Sequence, residues 1–512
     1  MKSLIFLVLA VSLLARCNQK KQTESVSKTK PNIVLFLVDD MGWQDTSVPF
    51  WDKRTPFNDR YQTPNMERLA AEGMKFTQAY ATPVCSPTRI SLMTGMNAAR
   101  HRVTNWTLHK DALQPMETNH KELTFPSWNV NGISPIPLDL AVHADALPSM
   151  LQKAGYYTIH AGKAHFGAID TPAEDPKAIG FDVNIAGHAA GGPGSYLGEN
   201  NFSAQWRGGS DVWDIPGLKK YHGQDIFLSE ALTLEAKIAM DSAVSQVKPF
   251  FMYMSHYAVH APIEKDKRFF QKYADMGLDD KEAKYAALIE GMDKSLGDIL
   301  DYLDERKLTD NTIVLFMSDN GGLSVDARGG EPNTHNKPLS SGKGSIHEGG
   351  IREPMIVKWP KQVEPNSVND NYLIIEDFYP TILEMAGIDQ YTTIQKTDGK
   401  SFLPLLMNST PGQTVDRPLF WHYPNEWGPK GPGIGAFSAV RLGDWKLIYY
   451  HLNENFELFN ITNDIGETKN MADTQREKAK ELADVLTSFL KDVDAQLPVH
   501  KLSGEKVSYP MN

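Results

Sequence analysis

Unbroken apolar runs recur along the chain and predict buried strands. The clearest are residues 32–38 and 312–317, and similar runs lie at 155–160 and 249–254. A strand with one solvated face would alternate between apolar and polar positions, whereas a parallel strand covered on both faces need not. The pattern therefore favours a mostly parallel sheet that lies between two layers of helices.

Segments with helical periodicity lie between these runs. One begins at Thr63-Pro64 and ends at Gly73, and a later one repeats apolar side chains at Leu288, Met292, Leu296, Ile299 and Leu303. Such a repeat gives a helix one apolar face to pack against a sheet. The alternation of strand and helix predicts the α/β class, with a large α/β/α sandwich as the main domain.

A different pattern follows the turn-like residues 397–401. Residues 403–416 are rich in Pro, Ser and Thr, which predicts a hinge. Short strands are then predicted at 419–423, 437–440, 445–450 and 457–460, before a helix that buries Leu482, Val485, Leu486, Phe489 and Val493. We therefore expect a main domain at 31–402, a hinge at 403–416 and a small C-terminal α+β subdomain at 417–512.

The N-terminal residues are expected to serve export. Lys2 and the apolar run at 4–14 predict an export signal over residues 1–17, too short to span a bilayer permanently. Its end, Leu14-Ala15-Arg16-Cys17, is similar to the lipid-attachment box of bacterial lipoproteins, although Arg16 replaces the small residue expected there. Polar residues 18–30 predict a flexible tether. We expect a protein that is periplasmic or lipid-anchored to the bacterial outer membrane through Cys17.

Composition narrows the choice of partners. The 512 residues are 41% hydrophobic and 22% charged, as in an ordinary globular protein, and the formal net charge is −11. No long basic run offsets this charge, which argues against a nucleic-acid partner. Of the two cysteines, Cys17 lies in the leader. Cys85 is then the only cysteine of the body, and no intrachain disulfide is expected once the leader is removed.

Acidic and amide side chains follow the two clearest strands. Asp39 and Asp40 come directly after the first, and Asp319 and Asn320 come after the second. The carboxyl ends of parallel strands meet at one edge of a sheet, where ligands bind. Hard oxygen ligands suit Ca²⁺ or Mg²⁺ and suit a soft metal poorly. The sequence therefore predicts a metal site at this edge.

The stretch 82–95 contains Cys85 beside a predicted helix start. Pro87 suits the first turn of a helix over about residues 87–93, which puts Cys85 at the helix mouth. Free N–H groups and the positive end of the helix dipole favour an anion there. Arg89, one turn later, can reach the same point. A lone body cysteine is otherwise most often an inert buried thiol.

Cys85, Pro87, Arg89 and the following Thr94-Gly95 resemble the maturation signature of the sulfatase family, within the alkaline phosphatase superfamily. In that family a maturase oxidises the cysteine to Cα-formylglycine, whose hydrated aldehyde is the nucleophile. The resemblance extends over nearly all of residues 31–498 and implies a four-stranded antiparallel sheet in the C-terminal subdomain. It also implies that residue 85 and four strand-end residues ligate a metal, usually Ca²⁺ and less often Mg²⁺: Asp39, Asp40, Asp319 and Asn320.

Further segments match motifs of this family. Lys163 and His165 belong to a Gly-Lys-x-His segment, and Lys343 matches the lysine that contacts sulfate. His260 matches a Pro-His-x-Pro segment in which Val259 replaces the first proline, so that His256 stays an alternative.

These matches imply roles for the basic residues. Arg89, Lys163 and Lys343 are expected to neutralise charge on the sulfate. His260 is expected to protonate the leaving oxygen, and His165 to be the base that drives the later elimination. Glu348 and Arg352 are expected to form a buried pair that shapes the Lys343 loop.

Loops around the pocket are expected to set its specificity, namely residues 100–136, 187–209, 323–341 and 421–435. Tryptophans able to stack on a sugar are Trp106, Trp128, Trp206 and Trp427. Residues able to hydrogen-bond hydroxyls are His109, Arg328, Asn333 and His335. We expect a sulfated sugar substrate of galactose or N-acetylgalactosamine type, and weak cleavage of aryl sulfates.

Two other functions stay open at this point. A phosphonate or phosphate ester hydrolase of the same superfamily would share the fold and, in some members, the formylglycine. A catalytically inactive sulfoglycan-binding protein would not need the full set of catalytic positions, all of which are present here. In a eukaryote, N-glycosylation would be expected at Asn105, Asn201, Asn408 and Asn460, whereas the lipoprotein-like leader favours a bacterial source.

Overall fold

The computed structural model describes residues 30–407 and 417–511. The export signal, Cys17 and the tether up to residue 29 fall outside these ranges, as do residues 408–416 of the hinge and Asn408. These features stay predictions. The first five residues assigned to the hinge form a short helix, Leu403–Met407.

Strands and helices alternate along the main domain. In chain order the strands are β1 (Asn32–Val38), β2 (Met74–Tyr80), β3 (Leu123–Thr124), β4 (Ile133–Ser134), β5 (Val142–His143), β6 (Tyr157–Gly162), β7 (Val183–Ile185), β8 (Phe250–Ser255), β9 (Thr312–Ser318), β10 (Arg352–Lys358), β11 (Ser367–Asn369), β12 (Leu373–Ile374), β13 (Leu419–Tyr423), β14 (Phe437–Leu442), β15 (Trp445–Tyr450), β16 (Asn455–Asn460) and β17 (Val499–His500). The helices are α1 (Pro56–Arg60), α2 (Pro64–Ala71), α3 (Cys85–Thr94), α4 (Ala98–His101), α5 (Pro115–Thr118), α6 (Leu147–Lys153), α7 (Leu228–Ser245), α8 (Phe270–Asp275), α9 (Asp280–Glu305), α10 (Glu348–Ile351), α11 (Phe378–Met385), α12 (Leu403–Met407) and α13 (Arg476–Asp492).

The main sheet confirms the predicted mostly parallel arrangement. Within the described residues it has nine strands in the order β11-β2-β10-β9-β1-β8-β6-β7, with β12 also beside β2. Strand β1 runs parallel to both β9 and β8, and all seven of its residues are buried. Strand β10 is antiparallel to β9 and β2, so its N-terminal end lies at the carboxyl edge of β1.

Two apolar cores lie on opposite faces of this sheet. Alternate side chains of β1 point to opposite faces. Ile33, Leu35 and Leu37 join one core with α3, α6 and α11, whereas Val34, Phe36 and Val38 join the other with α2, α7 and α9. This is the predicted α/β/α sandwich. In the described part of the chain, no helix combines the length and apolar character that a bilayer span requires.

The C-terminal part is a separate antiparallel sheet with one helix against it. Strands β13-β14-β15-β16 pair in sequence order, and α13 packs on them. Two predicted strands are longer than the sequence indicated, because Leu442 and Asn455 extend them. Leu482 and Leu486 are buried as predicted, Val485 and Phe489 are only partly buried, and Val493 follows the helix end.

We expect the sheet core to tolerate truncation poorly. Leu315, at the centre of β9, is fully buried, so Leu315→Ala should lower the free energy of unfolding by about 2–5 kcal/mol because the cavity it leaves cannot close fully. Urea denaturation followed by fluorescence measures the change. The control is Val368→Ala in β11, where the side chain is 58% exposed and a change within about 0.5 kcal/mol is expected. Equal losses in both variants would contradict this account of the core.

Candidate active site

Side chains from β1, β9 and α3 form a buried acidic cluster. One oxygen each from Asp39, Asp40 and Asp319 and the Cys85 Sγ lie within 4.8 Å of one another. Asn320 is next to them, with its Nδ2 donating to Asp40 Oδ1 at 2.8 Å. None of these five residues is more than 3% exposed. The structure thus brings together the predicted metal ligands.

Strand register produces this convergence. Val38 and Ser318 are paired at the ends of β1 and β9, so the next residues leave the sheet side by side. The Asp319 amide donates to the Val38 carbonyl at 2.9 Å, and the Asp40 amide donates to Asp319 Oδ1 at 3.2 Å. The two strand-end loops therefore hold each other in place.

Cys85 is the first residue of α3, two residues earlier than the helix predicted from Pro87. Its thiol donates to Asp39 Oδ1 at 3.5 Å. Burial raises the pKa of the Cys85 thiol to about 12, although the ammonium groups of Lys163 and Lys343 oppose this shift. Because only a thiolate is a good nucleophile, the unmodified side chain is poorly suited to attack in this environment.

Arg89 lies behind the acidic cluster. Its guanidinium is fully buried and donates through Nε and Nη2 to Asp319 Oδ2 at 3.0 and 2.7 Å. Nη1 donates to the Ser255 hydroxyl and to the Lys163 carbonyl. All three nitrogens are thus used in holding strand ends together, and Arg89 does not line the cavity that opens beside Cys85. Its contacts hold Asp319 and the carboxyl end of β8 in place.

Two lysines each pair with one aspartate. Lys163 Nζ is 2.8 Å from Asp39 Oδ2 and fully buried, whereas Lys343 Nζ contacts both oxygens of Asp40 at 2.6 and 2.9 Å and borders the cavity. Burial keeps the pKa of Asp39 well above its usual value, with Asp319 and Asp40 adding to the effect. For Asp40, burial acts in the same direction but Lys343 and His260 outweigh it, and its pKa is lowered. The two aspartates therefore differ in their electrostatic environments.

His260 and His256, the two alternatives for the motif histidine, lie in different surroundings. His260 lines the cavity, its Nδ1 donates to the Ala261 carbonyl at 2.7 Å, and its Nε2 lies 3.7 Å from Asp40 Oδ2. Burial, with Lys343 nearby, lowers the pKa of His260 to about 3. His256 is buried in the core, where its Nε2 contacts the Ser295 hydroxyl at 2.9 Å. His260 is therefore the one that can reach a substrate.

His165 also borders the cavity, and its tautomer follows from its contacts. Its Nε2 donates to the Thr107 carbonyl at 2.8 Å, which leaves Nδ1 buried without a hydrogen-bond partner. The loop above it approaches closely because Gly191 and Gly192 have no side chain. A Cβ on Gly191 would lie 2.4 Å from His165 Cε1, and one on Gly192 would lie 2.8 Å from His260 Nδ1. Sequence reasoning missed this glycine pair.

The donor set fits a hard divalent cation. Three carboxylates are buried together, and Asn320 Oδ1 is buried without a hydrogen-bond partner. An orphaned buried carbonyl oxygen beside three carboxylates is costly unless a cation or water satisfies it. Oxygen ligands of this kind match Ca²⁺ or Mg²⁺. The residues present therefore fit the predicted metal.

A cavity of about 370 Å³ opens above this cluster, and aromatic side chains line it. Trp106 and Trp427, both predicted from the sequence, are among them, together with Trp213 and Met116, which were not. Trp427 lies against Gly344, where a Cβ would be 2.1 Å from its Cε3 atom. The C-terminal subdomain is thus brought directly beside Lys343.

The Lys343 loop is fixed to both parts of the protein. Its Ser345 hydroxyl donates to the Pro432 carbonyl at 2.8 Å, so it is joined to the loop that carries Trp427. Glu348 accepts from Lys446 at 2.7 Å and lies 3.4 Å from Arg352, all buried. The predicted buried pair of Glu348 and Arg352 is therefore confirmed, and Lys446 is its third member.

Four predicted substrate residues do not line the cavity: His109, Arg328, Asn333 and His335. His109 is exposed, and Asn333 packs near Gly431. His335 is 7% exposed, with both ring nitrogens in contact with Ser324 and Gly329. Of the other tryptophans, Trp128 is a core residue that donates to Glu117, and Trp206 is 51% exposed outside the cavity lining.

Arg328 belongs to a buried ion-pair network instead. Its Nη2 is 3.1 Å from Asp45 Oδ1, and its guanidinium also contacts Glu282 and the Tyr61 hydroxyl. Asp45 in turn accepts from the Gly42 amide at 3.0 Å and from the Tyr285 hydroxyl at 2.7 Å. The network therefore supports the turn that follows Asp40, and the prediction that Arg328 binds sugar hydroxyls is wrong.

The sandwich, the strand-end acidic cluster and the cysteine at a helix mouth define a hydrolase of the alkaline phosphatase superfamily. The Sulfatase family model matches residues 31–388, and the model for the C-terminal part of N-sulphoglucosamine sulphohydrolase matches residues 342–496. The chain belongs to the sulfatase family and is a hydrolase of sulfate esters.

Known proteins of similar sequence and fold agree. A sulfatase of Formosa agariphila is 30% identical over 100% of this chain and 98% of that protein. Human N-acetylgalactosamine-6-sulfatase is 32% identical over 84% of this chain and 73% of that protein. The crystal structure of Ps i-CgsB in complex with k-i-k-neocarrahexaose superposes with a TM-score of 0.71 and 25% identity over 94% of both chains.

A substitution of Arg328 tests whether this residue stabilises the fold or binds substrate. Arg328→Leu leaves Asp45 buried without an ionic partner and leaves Glu282 with Arg60 alone, so it should lower the free energy of unfolding by about 3–5 kcal/mol. Lys361→Ala is the control, since its pair with Asp310 is exposed and worth about 1 kcal/mol or less. Urea denaturation compares the two. A stable Arg328→Leu variant with a raised KM would instead identify a substrate contact.

Proposed function

We propose that this sulfatase removes a sulfate group from a sulfated carbohydrate, using a formylglycine made from Cys85 and a bound Ca²⁺. The observation that carries the proposal is the meeting of Cys85 with Asp39, Asp40 and Asp319 beneath an aromatic cavity. The relatives support a sugar of galactose or N-acetylgalactosamine type. One is named N-acetylgalactosamine-6-sulfatase, and one similar structure holds k-i-k-neocarrahexaose.

Cys85 is proposed to be a precursor that a maturase oxidises before or during export. The hydrated aldehyde would supply one hydroxyl for attack on sulfur and a second for release of sulfate. The surroundings favour this over a free thiol, because burial among carboxylates disfavours a thiolate at residue 85. The body of the described chain contains no second cysteine, so a disulfide does not compete with the modification.

Asp39, Asp40, Asp319 and Asn320 would hold the Ca²⁺ together with residue 85. When bound, the cation would lower the pKa of the attacking hydroxyl and polarise the sulfate. Lys343, at the cavity surface, would neutralise charge on the sulfate oxygens. Lys163 and Arg89, both fully buried, would act from behind by holding Asp39 and Asp319.

The two histidines suit opposite proton transfers. His260 Nδ1–H is held by the Ala261 carbonyl, which leaves Nε2 facing the cavity to carry a proton to the leaving oxygen. The negative charge of a bound sulfate ester would favour its protonated form. His165 has a free Nδ1 lone pair because its proton is on Nε2, so it would accept the proton in the step that releases sulfate.

Export remains part of the proposal. We propose a periplasmic enzyme, or one anchored to the outer membrane by lipid at Cys17. Labelling with a radioactive fatty acid distinguishes the two, because a lipid anchor would label the wild-type protein and not the Cys17→Ala variant.

Phosphonate or phosphate ester hydrolysis is the competing activity, since it is chemically related and uses the same fold.

We expect the modification at Cys85 to decide activity. Enzyme expressed with a formylglycine-generating maturase should release sulfate from a galactose 6-sulfate or N-acetylgalactosamine 6-sulfate glycoside, and Cys85→Ala should release none above background. Mass spectrometry of the peptide that spans Cys85 should show an aldehyde in the active sample only.

Matched phosphate esters of the same sugars are the control for the reaction class. Faster phosphate than sulfate release would favour the competing activity. Full sulfatase activity of a sample whose Cys85 peptide is an unmodified thiol would contradict the proposed nucleophile.

Removal of the metal should also abolish turnover. Dialysis against EDTA is expected to stop sulfate release, and Ca²⁺ should restore the release better than Mg²⁺. Ca²⁺ should also raise the midpoint of thermal unfolding, because the ion binds only the folded state. Asp319→Asn should reduce bound Ca²⁺ in elemental analysis. The control is Asp310→Asn at an exposed pair with Lys361, which should bind as much Ca²⁺ as wild type. Undiminished Ca²⁺ in Asp319→Asn would remove Asp319 from the ligand set.

A further inference from the structure

The cavity changes character sharply between its floor and its walls. Ionisable side chains among its lining residues are Asp40, His165, His260 and Lys343, all at the floor beside Cys85. The walls above are apolar, and their larger members are Trp106, Met116, Trp213, Leu323, Trp427 and Pro429. Within the described residues, the lining therefore offers one region for an anion and no second one.

Three tryptophans reach this space from distant parts of the chain. Trp106 lies between α4 and α5, Trp213 ends a short turn of helix at Asp211–Trp213, and Trp427 lies between β13 and β14. Each is half-buried, so part of each indole stays open to the cavity. Because Trp427 packs on Gly344, the aromatic surface begins immediately next to Lys343.

We infer that the enzyme selects an uncharged sugar ring that carries a single sulfate, stacked among Trp106, Trp213 and Trp427, and excludes rings with a second sulfate or a carboxylate. The C–H face of a sugar packs well on indole. A second anion on the same ring would lie against apolar walls without a cation, and burying an unpaired charge is costly. The cavity of about 370 Å³ is near the lower end of the usual range for ligand sites, which suits a single sugar ring.

This inference rests on the proposed function and goes further, because it specifies that the sugar ring carries one sulfate and no other anionic group. A polar recognition site would have needed charged or amide side chains on the walls. Arg328 and His335, the obvious candidates by type, are committed to buried contacts elsewhere. Stacking therefore has to supply most of the binding energy outside the sulfate itself.

The test uses matured, Ca²⁺-loaded full-length enzyme and methyl galactosides that carry sulfate at the 2-, 3-, 4- or 6-position. The best of these monosulfates is compared with the same sugar carrying one additional sulfate. We expect kcat/KM to fall at least about tenfold for the disulfate. Equal or faster release from the disulfate would overturn the inference.

Tryptophan variants provide a second readout. Trp213→Ala and Trp427→Ala should raise KM for the monosulfate about tenfold, and Trp213→Phe and Trp427→Phe should restore most of it because a ring is retained. Trp206→Ala is the matched control, since Trp206 is on a nearby turn but outside the lining. An unchanged KM in both alanine variants would overturn the stacking role. No sulfate release from any of the monosulfates, with phosphate release from the matched phosphate esters, would instead show that the proposed function itself had failed.

Discussion

The structure depends on balancing like charges that have been brought together out of water. Three carboxylates of Asp39, Asp40 and Asp319 share a space of a few ångströms with a thiol, and all are buried. Such a group is stable only if opposite charge is placed as close to it. Arg89, Lys163 and Lys343 provide this, each paired with a different aspartate.

The sheet makes this arrangement possible because parallel strands end at a common edge. Four neighbouring strands of the sheet, β9, β1, β8 and β6, are each followed by a residue of the site. Asp319 and Asn320 follow β9, and Asp39 and Asp40 follow β1. His260 comes after β8, and Lys163 comes after β6. The antiparallel β10 adds Lys343 from the loop before its N-terminal end, which lies at the same edge. Arg89 then ties α3 to two of these strand ends. Each functional residue is therefore placed by backbone pairing rather than by a flexible loop alone.

The sequence was informative where a residue follows a strongly patterned element. The apolar runs located β1 and β9, and the residues after them located the acidic cluster. The motifs after β6 and β8 located Lys163 and His260. It failed at Arg328, because its partner Asp45 is 283 positions away in the chain and nothing in the local pattern reveals the pairing. It also missed Trp213 and the Gly191-Gly192 pair, which lie in an irregular loop where neither periodicity nor a motif marks a lining residue.

The floor and the walls of the cavity are built from different kinds of structure. The floor is built from strand ends and one helix start, where a shift of one residue would separate the aspartates, so its side chains have little freedom to change. The walls come from three loops, one of which contacts the floor where Trp427 packs on Gly344. Substitution of a wall tryptophan leaves the ion pairs beneath unchanged, because none of those pairs includes a wall residue. The chemistry and the choice of sugar can therefore change independently, provided that the glycines that allow the walls to approach are kept.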